Sequence, residues 1–143
     1  MSQQIKPIIY EKEYAEAMAK VLRYRFDVSS HAITAPLWDA LSTTLTYYGT
    51  YDEESLKHDA VNRAKSKVRS TRGFIYLKGE DKEEVIRKIE ESVLKLVEFI
   101  IEYSKIYPKQ KAWELARTIR RSVVEIYLLV VGEYYEEKRT KKD

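Results

Sequence analysis

The chain has 143 residues, 44% of them hydrophobic and 34% charged, with 26 basic side chains against 23 acidic ones. That balance excludes a long disordered tail or a fibrous repeat and suits one compact domain, residues 1–143. The absence of cysteine excludes a disulfide framework, a thiol nucleophile and thiolate-bound zinc.

Four glycines and three prolines leave few tight turns, whereas an all-β chain of this size needs a turn signal about every 8–12 residues. Helices are therefore expected to dominate. Residues 1–20 carry no basic segment followed by an apolar signal core, and a cytoplasmic protein is expected. The longest apolar stretches, Val93 to Ile101 with Lys95 and Glu98 inside it and Ile126 to Val131, fall far short of the roughly 20 residues that span a bilayer, so no membrane role is expected. Abundant Lys, Glu, Ile and Tyr lean toward a thermophilic, archaeal source.

In chain order, residues 1–10 read as an N-terminal extension. Residues 12–27 place Tyr14, Met18, Val21, Leu22, Arg25 and Phe26 at helical spacing. Ser29, Ser30 and His31 interrupt the pattern, after which Thr34 or Ala35 caps a second helix with Pro36 in its first turn and a stripe of Leu37, Leu41, Leu45 and Tyr48. Gly49 suits a left-handed helix end, and Thr50 with Glu53 forms a capping box that opens the third helix. Its seam of Val61, Ala64, Val68, Thr71 and Ile75 runs to Gly79, with Gly73 as a point of kinking. The competing reading makes Gly73 to Gly79 a short strand, favoured by its aromatic and β-branched content but lacking a partner elsewhere in the chain.

Asp81 with Glu84 repeats the capping-box signature ahead of Ile86, Ile89, Val93, Leu96, Val97 and Ile100. Pro108 breaks that helix, and Trp113, Ala116, Ile119, Val123, Ile126, Tyr127, Val130 and Tyr134 trace a last one, followed by a charged tail at 136–143. The fold class expected is all-α, a single-domain bundle of about five helices.

Catalytic chemistry finds little purchase. The two histidines, His31 in a Ser-Ser-His turn and His58 on a charged helix, have no glycine elbow or triad setting, and read as exposed or capping residues. No Glu-x-x-His pair suggests a bundle metal site, and no glycine spacing suggests a phosphate loop. No cofactor, metal or enzymatic activity is expected.

What stands out is charge segregation beneath a net charge of +3. From Val61 to Gly79 there is no acid, while Arg63, Lys65, Lys67, Arg69, Arg72 and Lys78 are basic; from Lys105 to Arg121 six basic residues meet one acid, Glu114. On a helical wheel Lys65, Arg69 and Arg72 share one flank, Arg63 and Lys67 lie on the other side, and Arg117, Arg120 and Arg121 cluster on the last helix. Two neighbouring basic helices would offer a groove to a phosphate backbone, with Tyr47, Tyr48, Tyr51, Tyr76, Trp38 and Trp113 near enough for stacking. The plainer alternatives are ion pairing with the acidic fourth helix, core or surface placement of the aromatics, and head-to-tail contact between copies.

The helix Tyr-Ala-Glu-Ala-Met-Ala-Lys, the segment Ile-Thr-Ala-Pro-Leu-Trp-Asp-Ala-Leu at 33–41, the basic helix ending Gly-Phe-Ile-Tyr-Leu-Lys-Gly at 73–79 and the aromatic-rich last helix come in a suggestive order. From about Tyr14 to Tyr135 the chain thereby resembles the small helical subunit of type III CRISPR effector complexes, the Csm-type class. The resemblance implies a non-catalytic subunit present in several copies, lining the path of single-stranded target RNA and its CRISPR RNA duplex beside other effector subunits. It places RNA contacts on Arg63, Lys67, Arg69 and Arg72, with Arg117 and Arg121 as further candidates. The charge pattern adds Lys65, Lys78 and Arg120. Where the family tends to put a basic residue after the helix-ending glycine, this chain has Glu80, with Lys78 before the glycine instead. The alternatives are a DNA-binding regulator using Lys111 to Tyr127 as a recognition helix, and a structural or coat subunit of an archaeal virus.

Overall fold

The computed structural model describes residues 8–142. It is all-α: α1 spans Ile8–Val21, α2 Ser30–Tyr47, α3 Glu53–Arg69, α4 Gly79–Ile106 and α5 Lys109–Lys142, with one 3₁₀ turn at Arg72–Tyr76 between α3 and α4. The expected bundle of about five helices is what the chain forms. Of the expected N-terminal extension, residues 8–10 are the first turn of α1, and 1–7 lie outside the described residues.

The apolar stripes decide the packing. α4 buries Val85, Ile89, Val93, Leu96, Val97, Ile100 and Ile101, and α5 buries Ala112, Ala116, Ile119, Val123, Tyr127, Val130 and Val131. Together with Tyr14, Met18, Leu37, Leu41, Leu45, Ala64 and Val68 they form one core. α1 packs on α4 and α5; α2 packs on α3, α4 and α5; α3 packs on α2 and α4. α2 therefore lies between α3 and α5.

Helix ends depart from expectation where tertiary contacts intervene. α1 stops at Val21, short of residue 27, because Arg23 and Tyr24 take left-handed backbone angles (φ 61° and 57°). Side chains other than glycine pay roughly 1–2 kcal/mol there. The turn is held by Tyr24 N–H donating to the Ala19 carbonyl (2.8 Å), by the Tyr24 ring stacked on Tyr134 with centroids 3.7 Å apart, and by Tyr127 Oη donating to the Arg25 carbonyl (2.8 Å). Phe26 is consequently exposed and outside any helix.

The cap of α2 is Ser29, whose Oγ accepts from Ala32 N–H (3.0 Å), so Pro36 falls inside the helix and not in its first turn. Proline denies the Ala32 carbonyl its partner and crowds it. Beside the interruption, buried Tyr14 Oη donates to the Ile33 carbonyl (2.8 Å) and accepts from Leu37 N–H (3.3 Å), the two groups an unbroken helix joins to each other.

Gly49 is left-handed as expected (φ 89°), but α3 is capped by Asp52, which accepts from Ser55 N–H (2.9 Å), and not by Thr50 with Glu53. α3 ends at Arg69, where the Ser70 and Thr71 hydroxyls both donate to the Lys67 carbonyl (2.9 Å each) and compete with continuation of the helix. Residues 73–79 are thus neither helix end nor strand. Phe74 enters the core where Ile75 was expected; Ile75 is 57% exposed. The capping box at Asp81 and Glu84 does not form, because both carboxylates turn to Lys20 Nζ of α1 (3.4 and 2.5 Å). The expected tail from 136 continues α5 as helix to Lys142.

Candidate nucleic-acid interface

The cations singled out in the sequence divide into two rows along α3, and the partners of α3 decide their state. Facing α4, the antiparallel register brings opposite charges together: Lys57 meets Glu98 (3.6 Å), Lys65 meets Glu90 (3.5 Å) and Glu53 meets Lys105 (3.2 Å). Lys65 is thereby spent on a carboxylate, its side chain only 18% exposed. The ridge of Lys65, Arg69 and Arg72 does not exist as one helical flank, since α3 ends at Arg69 and Arg72 belongs to the 3₁₀ turn.

Facing α2 one cation is paired and one is open, because α2 carries a single carboxylate, Asp39. Arg63 is paired with Asp59 (3.2 Å) and approaches Asp39 (3.8 Å), and the neighbouring carboxylates hold its guanidinium more firmly protonated. One turn on, Lys67 is exposed and in no ion pair among the described residues. Arg69, Arg72 and Lys78 are also exposed and in no such pair, on the α4 side of α3, in the 3₁₀ turn and just before α4.

On α5, Arg120 lies over the indole of Trp38 from α2, 4.1 Å from the ring centroid, and Trp38 leans on Trp113 of α5 with centroids 5.9 Å apart. A guanidinium on an indole face is attracted by the ring quadrupole by about 0.5–1 kcal/mol at exposed sites. Arg117 stands one turn from Trp113 on the same flank. It is exposed, as is Arg121, whose only side-chain bond among the described residues runs to Thr118 Oγ1 (3.4 Å).

α3 and α5 are not packed face to face; each packs on α2. The expected groove between two adjoining basic helices is therefore replaced by a trough whose floor is the outer face of α2, with Ala35, Trp38, Asp39 and Ser42, all half-buried. Arg63 and Lys67 form one rail; Arg117, Arg120 and Arg121 form the other. At the α2–α3 turn the exposed rings of Tyr47 and Tyr51 stack on each other, centroids 5.0 Å apart. Tyr48 is half-buried beside them and Tyr76 lies in the 3₁₀ turn, away from this floor.

Sequence reasoning missed two arginines, Arg23 and Arg25, by placing them inside α1. No local signal marked the break, since Phe26 keeps the helical spacing from Leu22. His31 and His58 are exposed, and among the described residues no group of three or more His, Cys, Asp or Glu side chains is placed to hold a metal ion. Among those residues, too, no helix is long and apolar enough to cross a membrane. The fold defines a class, the all-α helical bundle. Beyond that, no family model, curated protein or solved structure matches the chain.

Proposed function

We propose that this protein binds single-stranded RNA through its phosphate backbone, as a non-catalytic small subunit present in several copies in a type III CRISPR effector complex. What carries the reading is the asymmetry of α3. On its α4 side Lys57 and Lys65 are neutralised, whereas Lys67, with Arg117 and Arg121 of α5, stands exposed along an α2 face that holds a single carboxylate. A polyanion gains most from cations that no carboxylate already satisfies. Backbone contacts position a strand without reading it, which suits a subunit that leaves sequence to guide pairing. The resemblance supplies the particular complex; the charge geometry supplies the ligand. Weak binding by one copy is compatible with tight binding by several in a row.

The test is fluorescence anisotropy of single-stranded RNA oligonucleotides of several sequences across a salt series. Affinity is expected to fall with salt with a slope of about 0.7 per phosphate contact. The triple variant Lys67→Glu, Arg117→Glu, Arg121→Glu is expected to weaken all sequences equally and to lower the slope by about 2. Reversal of Arg87, which is paired with Glu91 on the outer face of α4, leaves binding unchanged. Salt-insensitive binding, or wild-type affinity in the triple variant, defeats the proposal. Preference for one duplex sequence would favour the DNA-binding regulator, and ordered self-assembly without RNA the coat subunit.

A further inference from the structure

A second feature lies away from the trough, where α1 ends beside the 3₁₀ turn. A cavity of about 330 Å³ opens there, within the range of roughly 300–1,000 Å³ typical of small-molecule sites. Its lining includes Arg23, Arg25, Arg72, Val21, Gly73 and Tyr76, and its wall is mostly apolar. Among the described residues no carboxylate lines it. Arg25 is already paired with Asp27 (3.1 Å), so Arg23 and Arg72 are the cations left open, neither in an ion pair among the described residues. Tyr76 is 64% exposed, and the Arg23 guanidinium lies over its ring at 5.1 Å from the centroid.

Two features of the backbone build this cavity. Gly73 passes so close under the end of α1 that a Cβ there would sit 2.0 Å from the Val21 carbonyl oxygen. Arg23 and Tyr24 hold consecutive left-handed conformations, and strain of that kind concentrates at ligand clamps and other functional sites. The left-handed turn carries Arg23 out of the line of α1 and onto Tyr76. An apolar wall, an exposed aromatic ring and two unpaired guanidinium groups call for a ligand with a flat body and a phosphate.

We infer that the cavity between the end of α1 and the 3₁₀ turn binds a nucleoside monophosphate unit, its base on the Tyr76 ring and its phosphate on Arg23 and Arg72. Aromatic faces accept any base, and guanidinium groups match phosphate oxygens in paired hydrogen bonds. The base takes the face that Arg23 now covers and releases that guanidinium to the phosphate. The unit comes either from a free nucleotide or from one unstacked residue of an RNA strand. Only the strand source rests on the function proposed above.

The experiment follows backbone amide shifts of the full chain during titration with AMP, UMP, inorganic phosphate, phenyl phosphate and a short oligouridylate. Shifts are expected at Val21, Arg23, Tyr24, Gly73 and Tyr76 with AMP or UMP, and inorganic phosphate should bind at least tenfold more weakly. Arg23→Asn keeps a residue type that tolerates the left-handed turn and removes the guanidinium. It and Arg72→Gln should each lower nucleotide affinity about tenfold, as loss of a charge-assisted hydrogen bond does. Tyr76→Leu should bring nucleotide affinity down to that of phosphate. Saturation by AMP or UMP assigns the free source; shifts with the oligonucleotide alone assign the strand. In the Lys67, Arg117, Arg121 triple variant mononucleotide binding should persist, which separates failure of the trough from failure of the cavity. Absence of shifts with every nucleotide, equal binding of phosphate or phenyl phosphate, or full affinity in an Arg23→Asn, Arg72→Gln double variant with unchanged melting temperature would overturn the inference.

Discussion

Replacing Tyr14 by Phe removes one oxygen atom from the centre of the bundle and tests how a proline is accommodated inside α2. The hydroxyl is fully buried; it donates to the Ile33 carbonyl at 2.8 Å and accepts from the Leu37 amide at 3.3 Å. Burial also pushes its ionisation well above the ordinary tyrosine range, so it serves as a neutral donor and acceptor. Without it, a carbonyl and an amide lose a partner, at about 1–3 kcal/mol for a buried polar group left unsatisfied. Partial closure of the two groups on each other keeps the expected total near 2–3 kcal/mol. For a chain of this length that corresponds to a fall in Tm of roughly 6–9 °C. The cause is checked by a double-mutant cycle with Pro36→Ala. Alanine restores an amide to the Ala32 carbonyl and allows Leu37 N–H to reach Ile33, so Tyr14→Phe should then cost only about 1 kcal/mol. Denaturant unfolding followed by circular dichroism gives the four stabilities. An equal cost of Tyr14→Phe in both backgrounds would refute the account.

Gly73→Ala should destabilise by about 1–3 kcal/mol, as overpacking does, because the added Cβ would lie 2.0 Å from backbone oxygen and no flexible side chain can yield. Gly79→Ala, with nothing within 4 Å, is the control and should leave stability nearly unchanged in thermal melts. Glu11 is buried against Ser122, whose hydroxyl donates to it at 2.8 Å, and burial raises its folded-state pKa above the unfolded value. A raised carboxyl favours folding when protonated, and that contribution is lost as pH climbs through the folded pKa. Glu11→Gln should therefore match wild type near pH 4 and exceed it at pH 7 in urea unfolding; a reversed order would sink the argument. Lys65→Gln and Lys67→Gln test a neutralised and an open cation of α3, and only the second is expected to weaken RNA in anisotropy titrations.

The helical class and most of the core were legible because burial follows a local period. The stripes of α4 and α5 repeat at three and four residues, and such a stripe loses its apolar surface to water only against another helix. Capping was legible as a residue type and misjudged as a position. Serine, threonine and aspartate stand close together at 29–34 and 50–53, and any of several can accept the first free amides. At 81–84 the carboxylates that suit a cap were drawn to Lys20, sixty-one and sixty-four positions away in the chain.

The candidate site was half legible. Acid-free runs on α3 and α5 are properties of composition, so the sequence alone located the cations. Which of them remain open is a property of register. Lys65 and Lys67 differ by two positions and by about 200° around the helix, and one meets Glu90 of α4 while the other borders a helix holding a single aspartate. The left-handed turn at Arg23 and Tyr24 lay further out of reach. Local preferences oppose it, and it is held by Tyr127, Tyr134 and the close passage of Gly73, all distant in the chain. The polypeptide by itself determined five amphipathic helices and their charge. Their packing alone decided which charges meet carboxylates and where the backbone bends against its own preference, since both depend on contacts between segments that share no local pattern.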